Sequence, residues 1–139
     1  MKEKRKTDGE DRTELYRDWR RSNFGNNRYV FDVDQIEYRF RNGEPEPVAI
    51  IELTRSDFKS SDPAKLLTAV LGRIKDKAHG KMLNLVAAAL GVHAYIVCFE
   101  KDLSTFYVYN LTDDRGWATF SQYNYQQLIN AMHEEVING

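Results

Sequence analysis

The sequence predicts an α/β protein, with a mixed central β-sheet flanked by helices in the order αββαββα. Two observations predict this class. Four short apolar segments have the alternation or continuous run typical of strands, and short polar turns join them in two pairs. A long helical pattern separates the two pairs, and a crossover of that length makes the second and third strands parallel neighbours in one sheet.

The composition is that of one globular domain. Of the 139 residues, 42% are hydrophobic and 29% charged, and the formal net charge is −1, so neither disorder nor a strong global field is expected. We expect a flexible tail over residues 1–9 and a single domain over residues 10–139. The single cysteine, Cys98, excludes an intramolecular disulfide and lies in an apolar run, so we expect it in the core.

Membrane and export signals are not expected in this chain. The longest apolar run, residues 85–92, is too short to span a bilayer, and the N-terminus lacks the apolar core of a signal peptide. These features predict a soluble protein of the cytoplasm that does not contact a membrane.

The first predicted helix covers about residues 10–21. Leu15, Tyr16 and Trp19 form a narrow apolar stripe at helical spacing. The rest of the helix surface carries Arg12, Arg17, Arg20 and Arg21. Such a helix either contacts phosphates or presents a solvated face, and both readings stay open.

The first hairpin places acids among apolar residues. Residues 29–39 and 48–55 read as strands, and residues 41–47 read as a tight connection. Side chains repeat every second residue along a strand, so Asp32 and Asp34 share one face and Glu52 and Thr54 share another. The hairpin can therefore bring Asp34 and Glu52 together. Carboxylates on apolar strands cost free energy unless they are paired, hydrogen-bonded or bound to a metal.

Residues after the hairpin predict the crossover and the second half of the sheet. Asp62 and Pro63 are typical of a helix start, Gly80 can divide the helical segment, and Gly91 ends it. Strands are predicted over residues 92–99 and 105–111, followed by a short extended piece over residues 117–120. The aromatic residues of this second hairpin favour core packing over base stacking. A last helix begins at Ser121.

An aspartate and a glutamate on neighbouring strands form an oxygen-rich pocket that suits Mg²⁺ or Mn²⁺. Asp32 is either a ligand in another register or a hydrogen-bonding support. The structural alternative is that the acids face solvent or pair with arginines such as Arg28, Arg39 or Arg55.

Several other classes of site are not indicated. The histidines His79, His93 and His133 lie far apart without zinc-ligand spacing, so solvated or core positions are expected for them. Phosphate-cradling glycine loops and a Gly-x-Ser-x-Gly elbow are absent from the sequence. With a metal held by two carboxylates and basic residues nearby, phosphodiester hydrolysis is the chemistry that fits.

These residues and this order of elements resemble the PD-(D/E)xK nuclease superfamily, with the fold of restriction endonucleases and Holliday-junction resolvases. The motif matches Asp34 and Glu52-Leu53-Thr54. The flanking segments, Leu-Tyr-Arg-Asp-Trp-Arg before the site and His-Ala-Tyr-Ile-Val-Cys-Phe after it, look like small phage-type or archaeal members. The resemblance covers most of the chain, although the motif is short and degenerate.

The resemblance implies a metal-dependent nuclease that acts on DNA. Asp34, Glu52 and the backbone carbonyl of Leu53 would hold Mg²⁺ or Mn²⁺, with Glu14 or Glu10 as the upstream helical acid. Contacts with nucleic acid are expected from Arg12, Arg17, Arg55 and Lys59. A homodimer is expected by analogy with nucleases of this fold that cut both strands.

One position departs from the family pattern. Thr54 stands where the family has its lysine and carries no positive charge. Its hydroxyl could hold a water molecule of the metal. A replacement cation could come from Arg55, Lys59, Lys75 or Lys81, among which the sequence does not choose. The alternative functions are therefore a catalytically inactive nuclease-fold domain that binds nucleic acid or protein, and a small accessory protein that pairs with a partner chain.

Overall fold

The computed structural model describes residues 8–25, 29–56 and 62–134, and the chain divides into two compact units, Met1–Phe31 and Asp32–Gly139. The first unit contains helix α1, Asp8–Phe24. It begins at Asp8, two residues before the predicted helix start at residue 10. The elements of the second unit are β1 (Gln35–Arg41), β2 (Glu44–Ser56), α2 (Pro63–Ile74), α3 (Ala78–Leu90), β3 (His93–Glu100), β4 (Thr105–Asn110), β5 (Trp117–Ser121) and α4 (Gln122–Glu134).

The strands form one five-stranded sheet in the order β1-β2-β3-β4-β5. Strands β2 and β3 are parallel, and the other three neighbouring pairs are antiparallel. The α/β class, the mixed sheet and the parallel crossover are thus confirmed. The described residues contain one strand more than expected, because the short extended piece pairs with β4 as β5. They also contain one helix more, since the crossover is divided in two.

The β1–β2 hairpin turns more tightly than predicted. Asn42 and Gly43 have φ values of 52° and 81°, and Arg41 pairs with Glu44 across them. Two consecutive positive φ values are typical of a type I′ turn, which Asn-Gly favours. Pro45 and Pro47, expected in the connection, belong to β2 instead. A proline is tolerated there because this part of β2 precedes the pairing with β3, which starts at Ala49.

Helix α2 starts as the sequence predicts. The side chain of Asp62 accepts hydrogen bonds from the backbone N–H groups of Ala64 and Lys65, and Pro63 occupies the first turn. The buried side chains of this helix are Leu67, Val70 and Ile74.

The corner between α2 and α3 lies at residues 75–77, several residues before the predicted break at Gly80. Gly80 is instead buried in the first turn of α3. A Cβ atom at this position would lie 2.2 Å from the carbonyl oxygen of Ile74 and 2.7 Å from that of Lys75. The absence of a side chain therefore permits the close approach of the two helices. Helix α3 ends at Gly91 with a φ of 71°, as expected for a left-handed C-cap.

The sheet is covered on both faces. One sheet face is formed by Ile51, Val97, Phe106 and Val108. Three side chains of α4 pack on it: Tyr125, Leu128 and Ile129. Helix α3 contacts β2 and β3. Because neighbouring residues of a strand point to opposite faces, Ile50, Ile96 and Cys98 lie on the second face, where all three are fully buried. Cys98 is a core residue, as predicted, and burial raises the pKa of its thiol to about 11.

The aromatic residues of the second hairpin also belong to the core. Phe106, Tyr107 and Tyr109 are buried, and Tyr95 and Phe99 pack against the core under α4. Cross-strand packing, which the sequence favoured over base stacking, is therefore the observed role of these side chains.

Candidate functional site: two carboxylates and a histidine

Asp34 lies immediately before β1, next to the C-terminal half of β2. The strand begins at Gln35, six residues later than the predicted start at residue 29, and Gln35 pairs with Ile51. The next position along each strand brings Asp34 opposite Glu52. One carboxylate oxygen of Asp34, Oδ2, accepts a hydrogen bond from the backbone N–H of Leu53 at 2.9 Å. The side chain of Asp34 therefore hydrogen-bonds to β2 just beyond the point where the backbone pairing of β1 with β2 ends.

Glu52 points away from the α4 face, because its neighbours Ile51 and Leu53 belong to the core on that face. Its side chain is 13% exposed, and Oε1 lies 2.9 Å from Nε2 of His79. The second oxygen, Oε2, is buried and forms no hydrogen bond with any of the described residues. A buried carboxylate oxygen in this position requires a partner of positive charge or a proton.

The electrostatic environment of Glu52 reflects the same geometry. Burial raises the pKa of the Glu52 carboxyl, and the negative charge of Asp34 raises this pKa further. The hydrogen bond and the charge of His79 oppose the rise. Two neighbouring acids with one histidine can bind a cation, since a cation would neutralise their mutual repulsion.

His79 is the site residue that sequence reasoning missed. The sequence indicated a solvated or core histidine, whereas the structure places its ring against Glu52. The position follows from the α2–α3 corner, which starts α3 at Ala78 and sets its first turn beside β2. The close approach that Gly80 permits was the available signal. This signal could be interpreted only once the break between α2 and α3 was known to lie at residues 75–77.

The other two histidines lie elsewhere. Nδ1 of His93 is 3.0 Å from the side-chain nitrogen of Asn110, and Nε2 of His133 is 3.7 Å from Oε1 of Glu37. The expectation of a solvated position fits His93, whose side chain is 46% exposed.

The two residues that follow Glu52 differ in their surroundings. Leu53 packs against the core under α4 and donates its N–H to Asp34. Thr54 is half-buried and shares the strand face of Glu52, where it pairs with Cys98 of β3. The motif residues Glu52 and Thr54 are thus on one face, as strand alternation predicts.

Asp32 does not share a strand face with Asp34, contrary to the sequence-based prediction, because both residues precede β1. Asp32 is exposed. The acid Glu14 and the arginines Arg12 and Arg17 are exposed residues of α1 in the first unit, whereas Asp34 and Glu52 belong to the second.

The candidate replacement cations have different positions. Nζ of Lys75 lies 2.9 Å from Oδ1 of Asp114, an oxygen that also accepts a hydrogen bond from the hydroxyl of Tyr109. Lys81 is an exposed residue of α3. Arg55 is in β2, and Lys59 lies outside the described residues. Lys75 is therefore already engaged in an ion pair.

Groups of three or more histidine, cysteine, aspartate or glutamate side chains that could hold a metal ion do not occur in the part of the chain that the structure describes. The pair formed by Asp34 and Glu52 nevertheless fits a hard cation in its donor chemistry, because its donors are carboxylate oxygens and Oε2 of Glu52 has no other partner among the described residues. A site of this kind would be completed by backbone oxygen and water.

The helices of the described residues include none that is long and apolar enough to cross a membrane. Comparison with known proteins gave no match: no family model, no curated protein and no solved structure matches this chain. The geometry of Asp34, Glu52 and His79 is therefore what a functional proposal can rest on.

Proposed function

We propose that this protein is a metal-dependent nuclease that hydrolyses phosphodiester bonds in DNA, with Mg²⁺ or Mn²⁺ held by Asp34 and Glu52. The observation that carries the proposal is Oε2 of Glu52, a buried carboxylate oxygen beside a second acid with no hydrogen-bond partner among the described residues. Buried carboxylates with perturbed pKa values cluster at binding and catalytic sites, because burying an unpaired carboxylate oxygen is costly.

Each residue of the pair has a distinct part. The N–H of Leu53 holds one oxygen of Asp34, which fixes the orientation of that carboxylate. Glu52 supplies the buried oxygen, and the carbonyl of Leu53 is the proposed third ligand. A bound Mg²⁺ or Mn²⁺ polarises a phosphate and lowers the pKa of an attacking water molecule. Thr54 lies on the face of Glu52, where its hydroxyl can hydrogen-bond to water or phosphate.

The architecture supports membership of the restriction-endonuclease-like fold. An antiparallel hairpin, with Glu52 on β2 and Asp34 immediately before β1, leads through a helical crossover to a parallel strand, and helices cover both sheet faces. This order of elements is the one that the motif Asp34 and Glu52-Leu53-Thr54 requires in that fold.

DNA is the proposed substrate because the pair of acids suits phosphodiester chemistry and basic residues are available to bind phosphates. The proposed phosphate contacts are Arg12, Arg17, Arg55 and Lys59. If the enzyme cuts both strands, a homodimer would supply two such sites.

A second candidate function is a nuclease-fold domain that binds nucleic acid or protein without cleaving it. The observations that favour it are Thr54 at the lysine position of the motif and the ion pair that engages Lys75 with Asp114. A site without a nearby cation loses charge stabilisation of the transition state.

Cleavage assays on site variants test the proposed function. Wild-type protein should cleave at least one of duplex, single-stranded, flap or four-way DNA with Mg²⁺ or Mn²⁺. Asp34→Asn and Glu52→Gln should each lower the rate at least 100-fold, because each removes a charged metal ligand. Circular dichroism should show that both variants are folded. Asp102→Asn, which changes an exposed acid in the β3–β4 turn, serves as the matched control and should cleave at the wild-type rate.

The two candidate functions predict different results. Binding of DNA by wild type without cleavage of any substrate with either metal supports the inactive domain. Cleavage that persists at the wild-type rate in both site variants contradicts the assignment of Asp34 and Glu52.

A further inference from the structure

His79 contacts the carboxylate of Glu52 from the crossover. Its Nε2 lies 2.9 Å from Oε1 of Glu52, and the two side chains are 37% and 13% exposed. The contact joins residues 27 positions apart in the chain, on a strand and on the helix beside it. It is set by the corner at residues 75–77 and by the close helix approach that Gly80 allows.

We propose that His79 is a positioning residue of the metal site: its Nε2–H donates to Oε1 of Glu52 and directs Oε2 toward the metal. This inference rests on the proposed function, since it assigns His79 a part in that same site. Nothing in the motif around Asp34 and Glu52-Leu53-Thr54 includes a histidine at this place.

The chemistry of the two oxygens supports this assignment. A carboxylate has two acceptor oxygens, and an N–H donor on one of them leaves the other for the cation. Partners that hold a ligand in place commonly change metal affinity, because an unheld glutamate must lose side-chain freedom when it binds. His79 also opposes the effect of burial on Glu52, whose pKa is raised by desolvation and by Asp34.

His79 acts through Glu52 and is not a third ligand. Its Nε2 lies 2.9 Å from Oε1 of Glu52, and no set of three His, Cys, Asp or Glu side chains within residues 8–25, 29–56 and 62–134 could hold a metal ion. The nitrogen atom is therefore used to hold Glu52. A neutral or a protonated imidazole can donate this bond, so the role does not depend on titration of the ring.

Calorimetric titration of the metal-free protein with Mn²⁺ tests the inference without relying on activity. His79→Leu should raise the Kd for Mn²⁺ about 10- to 100-fold, the usual effect of losing such a partner. His79→Gln should stay within about 3-fold of wild type, because the amide N–H of glutamine can reach the place of Nε2. His93→Leu changes an exposed histidine at the start of β3 and should leave the Kd unchanged.

Two further variants make the test decisive. His79→Asn keeps a polar amide but is too short to reach Glu52, so it should lose as much affinity as His79→Leu; it also replaces His79→Leu if that variant does not fold. Asp34→Asn with Glu52→Gln gives the background for non-specific Mn²⁺ binding. Thermal unfolding of each metal-free variant shows whether the fold is retained.

The outcomes separate this inference from the proposed function. If wild type binds Mn²⁺ above background and His79→Leu or His79→Asn binds it equally well, the positioning role is wrong while the metal site stands. If His79→Gln loses as much affinity as His79→Asn, the hydrogen bond is not the cause and the inference is also overturned. If wild type binds no Mn²⁺ above background, the metal site fails and the role of His79 fails with it.

Discussion

Glu52 is held in an environment that costs stability in the metal-free protein. Its side chain is largely buried, Asp34 is a near neighbour of like charge, and Oε2 has no hydrogen-bond partner among the described residues. The raised pKa means that the folded protein binds this proton more tightly than the unfolded chain does. The stability linked to Glu52 is fully present below its ordinary pKa of 4.5 and is lost as the pH rises through the raised folded-state pKa.

Glu52→Gln should therefore stabilise the metal-free protein at neutral pH. We expect the Tm at pH 7 to rise by about 2–5 °C, roughly the shift that 1 kcal/mol causes in a domain of this size. The gain should shrink toward zero near pH 4, where the wild-type carboxyl is itself protonated. Thermal unfolding from pH 4 to pH 8 measures both effects.

Glu44→Gln changes an exposed acid of the same hairpin and serves as the control, with little change in Tm expected at any of these pH values. A gain at pH 7 that persists at pH 4, or a loss of stability at pH 7, would contradict the view that the Glu52 charge is costly.

At the scale of single residues, strand alternation together with the hairpin predicted that Asp34 and Glu52 lie close together, although Asp34 lies just before β1. The prediction succeeded because the hairpin is local, so its register depends on nearby residues and on the turn. The same reasoning predicted that Asp32 shares a strand face with Asp34. This prediction is wrong, because β1 starts only at Gln35. His79 was not predicted because its neighbour in space is remote in the chain.

The α2–α3 corner is the element that places His79 beside Glu52. The chain leaves α2 at Ile74 and starts α3 at Ala78, and Gly80 packs against the carbonyl groups of Ile74 and Lys75. Helical periodicity runs through both segments. The sequence therefore predicts the two helices well but does not predict the angle between them. The corner has to be tight because His79, which contacts Glu52, is only five residues past the end of α2.

Gly80→Ala should open this corner. A Cβ atom 2.2 Å from a backbone carbonyl oxygen cannot be accommodated without movement of the backbone. We expect a loss of about 1–3 kcal/mol in the free energy of unfolding, as in other overpacked sites. Chemical denaturation of the metal-free protein measures the loss.

Gly72→Ala is the matched control, because Gly72 lies in α2 and a Cβ atom there would meet nothing within 4 Å. It should stabilise the protein by about 0.5–1 kcal/mol, since alanine is the better helix former. Equal effects of the two substitutions would show that the corner does not depend on Gly80.

At the scale of the whole molecule, the charge balance limits how the proposed DNA substrate could bind. A formal net charge of −1 provides no global attraction to a polyanion, so binding must rely on local groups such as the arginines of α1. The logarithm of the association constant should fall linearly with the logarithm of salt concentration, with a slope of about −0.9 for each phosphate contact.

Replacing Arg12 and Arg17 by glutamine should reduce the magnitude of this slope by about 1 to 2 if both contact phosphates. Fluorescence anisotropy with labelled DNA in Mg²⁺-free buffer at several salt concentrations measures it. Lys101→Gln changes an exposed lysine in the β3–β4 turn and should leave the slope unchanged. An unchanged slope in the arginine variant would mean that α1 presents only a solvated face.

The sequence by itself determined the α/β class, the mixed sheet, the crossover and the pairing of Asp34 with Glu52. Hydrophobic periodicity and turn chemistry are local signals, and each of these features follows from residues close together in the chain or from the order of elements. Only the tertiary structure decided that Glu52 is buried and that its Oε2 has no hydrogen-bond partner among the described residues. It also decided that His79 lies beside Glu52. Those depend on how a helix lies over a strand, which is a matter of packing between residues far apart in sequence.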